Sequence, residues 1–166
     1  MGETWKAQRT ISLGTGLVTV GDFIRVFRER GLHNIAEEAR LILGQPAFVA
    51  VTEEIKVGLA IVSAIDLGLK GGVTRGAIYR RAQECGLRLC PPEVGPQLRL
   101  QYDDQPMCER LPIGMEPIAL PIGDLRVFMV GRGVEEGPGG LCLWATLGAP
   151  DVLWCGSRRW VFCLPP

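Results

Sequence analysis

Apolar and polar positions divide the chain into short, punctuated elements. Residues 10–20 alternate and carry Gly14 and Gly16, which predicts a brief strand with a turn or bulge. Phe23, Val26 and Phe27 recur at helical spacing, predicting a helix over 22–30 that Gly31 terminates. Ile35, Ala39 and Ile42 form the stripe of a second helix. Asn34 is placed to cap it, Glu37 to return the bond in a capping box, and Gly44 with Pro46 to stop it. Residues 48–51 and 55–63 read as strands. In the second, Ile55, Val57, Leu59 and Ile61 share a face, although Ile55, Leu59 and Val62 also fit a helical stripe. Thr74 caps a third helix with Ile78, Ala82 and Cys85 as its stripe and Gly86 at its end. Pro91 and Pro92 open a fourth, with Val94, Leu98 and Tyr102 on one side and Pro96 interrupting it. Beyond Pro106 the pattern changes to strands. Residues 111–120, broken by Pro112, Gly114 and Pro117, suit an edge; 125–130, 141–145 and 159–164 are cleaner. The expected fold class is therefore α+β in one domain, with a helix-rich N-terminal two-thirds and a C-terminal antiparallel sheet.

Composition narrows the function classes. Eighteen basic residues balance eighteen acidic ones, so no net field draws the molecule to nucleic acid or anionic lipid. Residues 1–20 lack the order of a signal peptide, and no run of 18 apolar residues occurs. The expectation is a cytoplasmic chain that uses no membrane, with reduced thiols. Six cysteines at 85, 90, 108, 142, 155 and 163 form no Cys-x-x-Cys pair, and His33 is the one histidine, so no metal or other cofactor is expected. His33 beside a helix start reads as structural or solvated rather than catalytic.

Reaction motifs are missing. The glycines of 67–72 and of 131–133 do not follow phosphate-loop or dinucleotide order. The adjacent pairs Glu53-Glu54, Asp103-Asp104 and Glu135-Glu136 point opposite ways on extended backbone, the wrong geometry for paired acid–base work. Two alternatives to a binding role stay open. Segment 74–101 resembles a helix-turn-helix with a basic face of Arg75, Arg80, Arg81, Arg88 and Arg99, although its second helix offers only Arg99 to read bases. A small enzyme would gather titratable groups around Glu93, Arg99 and Asp103.

Binding chemistry concentrates at the C-terminal end. Three of four tryptophans (Trp144, Trp154, Trp160) and three of six cysteines lie in residues 139–164. Between Leu141 and Phe162 there is no Lys, Glu, Gln or Met; these four, with Trp, are the residues not reached when the adenines of an AAC-type codon are randomised. The run LRLCPPEVGPQLRLQYDDQP at 87–106, IGMEPI at 113–118, then Gly140, Leu141, Leu143, Pro150, Trp154, Trp160, Val161 and Phe162 resemble a family of small, mostly uncharacterised bacterial proteins. The tail is also similar to the variable proteins of diversity-generating retroelements. That resemblance implies a C-type-lectin-like part over 55–166 behind an N-terminal part over 1–54. It implies a variable region at 141–162, whose diversified residues are Trp144, Thr146, Leu147, Ala149, Asp151, Val152, Leu153, Cys155, Ser157 and Arg158. Trp144 departs from the codon rule, and no Glu-Pro-Asn calcium cluster is present. Leu141, Leu143, Pro150, Trp154, Trp160, Val161 and Phe162 would frame the set. The ligand implied is a protein or other macromolecule, because exposed Trp144, Leu147, Val152 and Leu153 cost free energy unless a partner covers them.

Overall fold

A computed structural model describes residues 4–134 and 139–166. The order of elements is β1 (Arg9–Leu13), α1 (Val20–Glu29), β2 (Asn34–Ile35), α2 (Glu37–Leu43), β3 (Ile55–Ser63), β4 (Val73–Thr74) and α3 (Arg75–Glu84). There follow α4 (Val94–Gln101), β5 (Arg110–Pro112), β6 (Ile118–Ala119), β7 (Leu125–Arg132), β8 (Leu141–Leu147), β9 (Leu153–Trp154) and β10 (Arg159–Cys163). None of the helices among the described residues is long and apolar enough to cross a membrane.

Strands from the two ends of the chain interleave. One sheet has the order β1-β3-β10, antiparallel throughout. The larger sheet has the order β2-β8-β7-β5, with β6 also on β7 and with β2 parallel to β8. A parallel bridge from Ile113 to Val161, with Gly114 N donating to Val161 O at 2.8 Å, joins the two edges. The two-stranded β4–β9 ladder stands apart and ties the start of α3 to the C-terminal loop.

At the centre lies α4, buried from Val94 through Leu100. Pro96 does not break it, because a first-turn residue has no intrahelical acceptor for an N–H. Gly95 is required by contact: a Cβ there would stand 2.5 Å from the Phe128 ring of β7. The polar residues of this helix are spent inside the fold, on backbone and on other side chains. The Gln101 side chain bonds both the N–H and the C=O of Ser12, each at 2.8 Å, as a neighbouring strand would. One turn back, Gln97 donates to Thr15 Oγ1 and to Glu93; the Glu93 carboxylate accepts the amides of Gly14 (2.9 Å) and Val51 (2.8 Å). Burying such groups is tolerable only because each is hydrogen-bonded.

These observations correct the expected fold class. The chain is mixed α/β, 22% helical and 30% strand, and its first two-thirds are not helix-rich. β1, β2, β3 and β4 all fall there, and each pairs with an element of the C-terminal half or with a strand that does. Local patterning misses this because strand partners lie far apart in sequence. Two elements change for the same reason. Asn34 does not cap α2: it pairs with Cys142 as β2, Ala36 N donates to Leu143 O at 2.9 Å, and Ala36 becomes the N-cap without a side-chain bond. Residues 48–51 form no strand. The caps of α1 and α3 are local. Thr19 and Asp22 close a capping box on α1, and Thr74 Oγ1 accepts from Ala77 N at 3.2 Å on α3.

Candidate functional site

Side chains alternate across β8, and the register with β7 assigns their faces. Leu143 and Ala145 lie opposite Val130 and Phe128, the face that meets α4; Leu147 continues it opposite Arg126. Trp144 and Thr146 lie on the other face, opposite Met129 and Val127. The Trp144 ring rests on Gly131, where a Cβ would come within 2.1 Å of it, and the Arg110 guanidinium stands over the ring at 5.0 Å.

Beyond β8 the chain makes a loop that is fastened by main-chain atoms. Gly148 N donates to Leu125 O (2.8 Å), Gly76 N to Pro150 O (3.0 Å), Arg75 N to Val152 O (2.9 Å) and Ile65 N to Gly156 O (3.2 Å). The carbonyls of Pro150 and Val152 thereby satisfy amides at the start of α3 that a helix leaves without partners. Behind the loop, Trp154 packs edge-on against Trp160 at 4.9 Å, Trp160 against Tyr79 at 5.7 Å, and the Arg75 guanidinium lies over Tyr79 at 4.3 Å.

Two clefts open on this loop. The first, about 610 Å³, has Ile65, Leu153 and Trp154 as its apolar walls, with the backbone of Gly71, Gly72 and Gly156 between them. The second, about 330 Å³, is lined by Arg110, Arg158 and Arg159 with Cys108 and Glu109. Cys155 and Ser157 border both. Gly156 makes the shared wall possible, since a Cβ would meet Gly71 O at 2.8 Å. In the second cleft Arg159 is paired with Glu109 at 2.6 Å. Among the described residues Arg158 donates to the Arg110 carbonyl, at 3.4 Å. Cys155 Sγ and Ser157 Oγ are 3.1 Å apart; that bond, a backbone bond from Ser157 and nearby Arg158 hold the Cys155 thiol below its usual range.

None of the ten candidate residues is buried. Leu147, Asp151, Leu153, Cys155 and Ser157 are exposed; Trp144, Thr146, Ala149, Val152 and Arg158 are half-buried. Trp144, Arg158, Cys155, Ser157 and Leu153 run together through Arg110 and the two clefts. Thr146 shares a face with Trp144, and Ala149, Asp151 and Val152 ride on the loop. Leu147 stands apart, on the opposite face of β8. Of the frame, Leu143, Trp160, Val161 and Phe162 are buried, Leu141 and Trp154 half-buried, and Pro150 is exposed, acting through its carbonyl. Ile65 and Arg110 line the clefts but carry no sequence signal for it, because they sit on separate elements; Arg159, beside Arg158, lines the second cleft as well.

The two alternative sites do not assemble. α4 is enclosed, so it offers no surface to a DNA groove, and Arg75 and Arg99 are buried away from Arg80, Arg81 and Arg88. Glu93 is committed to the Gly14 and Val51 amides, whereas Asp103 is exposed beside Arg30. The Arg99 guanidinium donates to Tyr102 O (2.6 Å), Gln105 Oε1 (2.7 Å), Gly131 O (2.8 Å) and Cys142 O (3.4 Å). Burial pulls its pKa down to about 10. His33 and Glu53-Glu54 are exposed, and Glu135-Glu136 lies outside the described residues. Among the described residues no three His, Cys, Asp or Glu side chains gather as metal ligands would. No family model, no curated protein and no solved structure matches the chain.

Proposed function

We propose that this is a ligand-binding protein whose partner, a protein or other macromolecule, docks on the face formed by Trp144, Leu153, Cys155, Ser157 and Arg158. The observation that carries this reading is how the loop after β8 is held. Pro150, Val152 and Gly156 anchor it through their carbonyls, so Asp151, Leu153 and Cys155 between them can change without loosening the fold, while Trp154 is held by Trp160. Leu153, 71% exposed, and Ile65, 59% exposed, flank one cleft as apolar surface that a partner would cover. The retroelement relationship and a cytoplasmic setting belong to the same proposal. A reverse-transcriptase gene beside the coding sequence, with a near-copy of its 3′ end differing at adenines, is the genomic observation that supports the first.

Panning random dodecapeptides on phage against the full chain tests the binding face. Recovered peptides should lose binding to Leu153→Asp and to Trp144→Ser. They should keep binding to Ile122→Asp, a change in an exposed turn that lines neither cleft. Peptides indifferent to both face substitutions contradict the proposal.

A further inference from the structure

The two clefts that meet at Cys155 and Ser157 differ in chemistry, and the difference specifies a ligand. The first is walled by aliphatic side chains and a tryptophan, and it is the larger. The second holds three arginines and one carboxylate, and that carboxylate, on Glu109, is already bound to Arg159 and to the Tyr102 hydroxyl. Arg110 and Arg158 have no carboxylate partner among the described residues; one faces the Trp144 ring and the other a carbonyl. Guanidinium groups in such a position favour a carboxylate, which they can bind through two parallel N–H···O bonds.

We infer that the face takes an acidic protein segment, with one aliphatic side chain seated between Ile65 and Leu153 and a carboxylate on Arg110 and Arg158. This rests on the binding reading above and adds the chemical class of the partner. Cys155 and Ser157, which border both clefts, sit in one turn with Sγ and Oγ 3.1 Å apart, so the two clefts adjoin. The aliphatic and acidic residues of the ligand therefore stand within about three positions of one another. A nucleic-acid strand fits less well. The Trp144 ring lies against Gly131 with the Arg110 guanidinium over it, so it is not a free platform for a base. Two free guanidinium groups are also far short of a phosphate track.

The dodecapeptides recovered on the full chain should be enriched in Leu, Ile or Met with Asp or Glu within three positions. Synthesised singly and measured by fluorescence anisotropy, they should bind about tenfold more weakly to Arg158→Glu and to Arg110→Glu, each checked for folding by circular dichroism. Affinity should also fall between 50 and 500 mM salt, about fivefold or more. Peptides lost on Leu153→Asp but without acidic enrichment, and unchanged on both arginine variants, overturn the inference and leave the binding face standing. Peptides indifferent to Leu153→Asp overturn both. A poly-dT oligonucleotide that displaces the peptides at equal concentration overturns the acidic-segment assignment.

Discussion

Arg99 offers the sharpest test of whether the 87–106 run frames the fold. Its guanidinium is fully buried and meets four oxygen acceptors, and among the described residues no carboxylate bonds it. Two opposing terms set the effect of a substitution. Burial lowers the pKa from 12.5 to about 10, which at ~1.4 kcal/mol per tenfold places ~3 kcal/mol against keeping the charge inside. Four charge-assisted bonds at ~1.5–3 kcal/mol each oppose that cost and tie the side chain to its acceptors. Arg99→Met removes the buried charge but strands the acceptors, so a net loss of ~2–4 kcal/mol is expected. Arg99→Lys keeps the charge while one nitrogen cannot reach all four oxygens, so it should cost at least as much as Met. Urea unfolding measures both, and at ~2–4 °C per kcal/mol the Met variant should lose ~5–15 °C in Tm. A Lys variant as stable as the parent, or a Met variant more stable than it, refutes the reasoning.

Other substitutions probe the site and its frame. Gly156→Ala places a Cβ 2.8 Å from Gly71 O; it should cost ~1–3 kcal/mol by thermal unfolding and weaken peptide binding at both clefts. Gly131→Ala drives the Trp144 ring from its seat, which should red-shift tryptophan emission while the far-ultraviolet circular dichroism stays unchanged. Leu153→Ser should alter stability by less than ~0.5 kcal/mol, against ~2–5 kcal/mol for Leu143→Ala in urea unfolding. Cys155 should be alkylated by iodoacetamide faster than exposed Cys108 at pH 7.5, and Ser157→Ala should slow it, because the Ser157 bond is the main cause of its lowered pKa. Asp22 is held below its ordinary pKa by the amides of Thr19 and Val18. That stabilisation is present above the unfolded carboxylate pKa and is lost as pH falls through the folded one. Asp22→Asn should therefore destabilise the chain at pH 7 and be silent near pH 2.

Elements with local causes were legible in the sequence. The Thr74 cap and the strand character of residues 55–63 depend on neighbours within a few residues, and both stand in the structure, although burial along β3 does not alternate. The placement of α4 was not legible, because Gln97 and Arg99 have the composition of a solvated helix face. Their acceptors include Thr15, Gly131 and Cys142, which no periodicity links to them. The sheets eluded the pattern likewise: β3 reads as a strand by itself, but nothing in it names β1 and β10 as its neighbours. At the candidate site the C-terminal stretch supplies Trp144, Leu153, Cys155, Ser157 and Arg158. Alternation then sends Leu147 to the other side of the sheet. Ile65 and Arg110 lie 90 and 45 residues before Cys155, so only the folded chain brings them to the clefts.

The most direct measurement compares two libraries. One randomises the ten positions Trp144, Thr146, Leu147, Ala149, Asp151, Val152, Leu153, Cys155, Ser157 and Arg158. The other randomises buried Leu143, Trp160, Val161 and Phe162. Each is sorted for protease resistance and then for binding to an acidic protein target. The expected result is that the ten-position library stays largely folded and yields binders, while the buried library largely unfolds. A folded fraction no higher in the first library than in the second, or a folded first library from which no binder emerges, contradicts the proposed binding face.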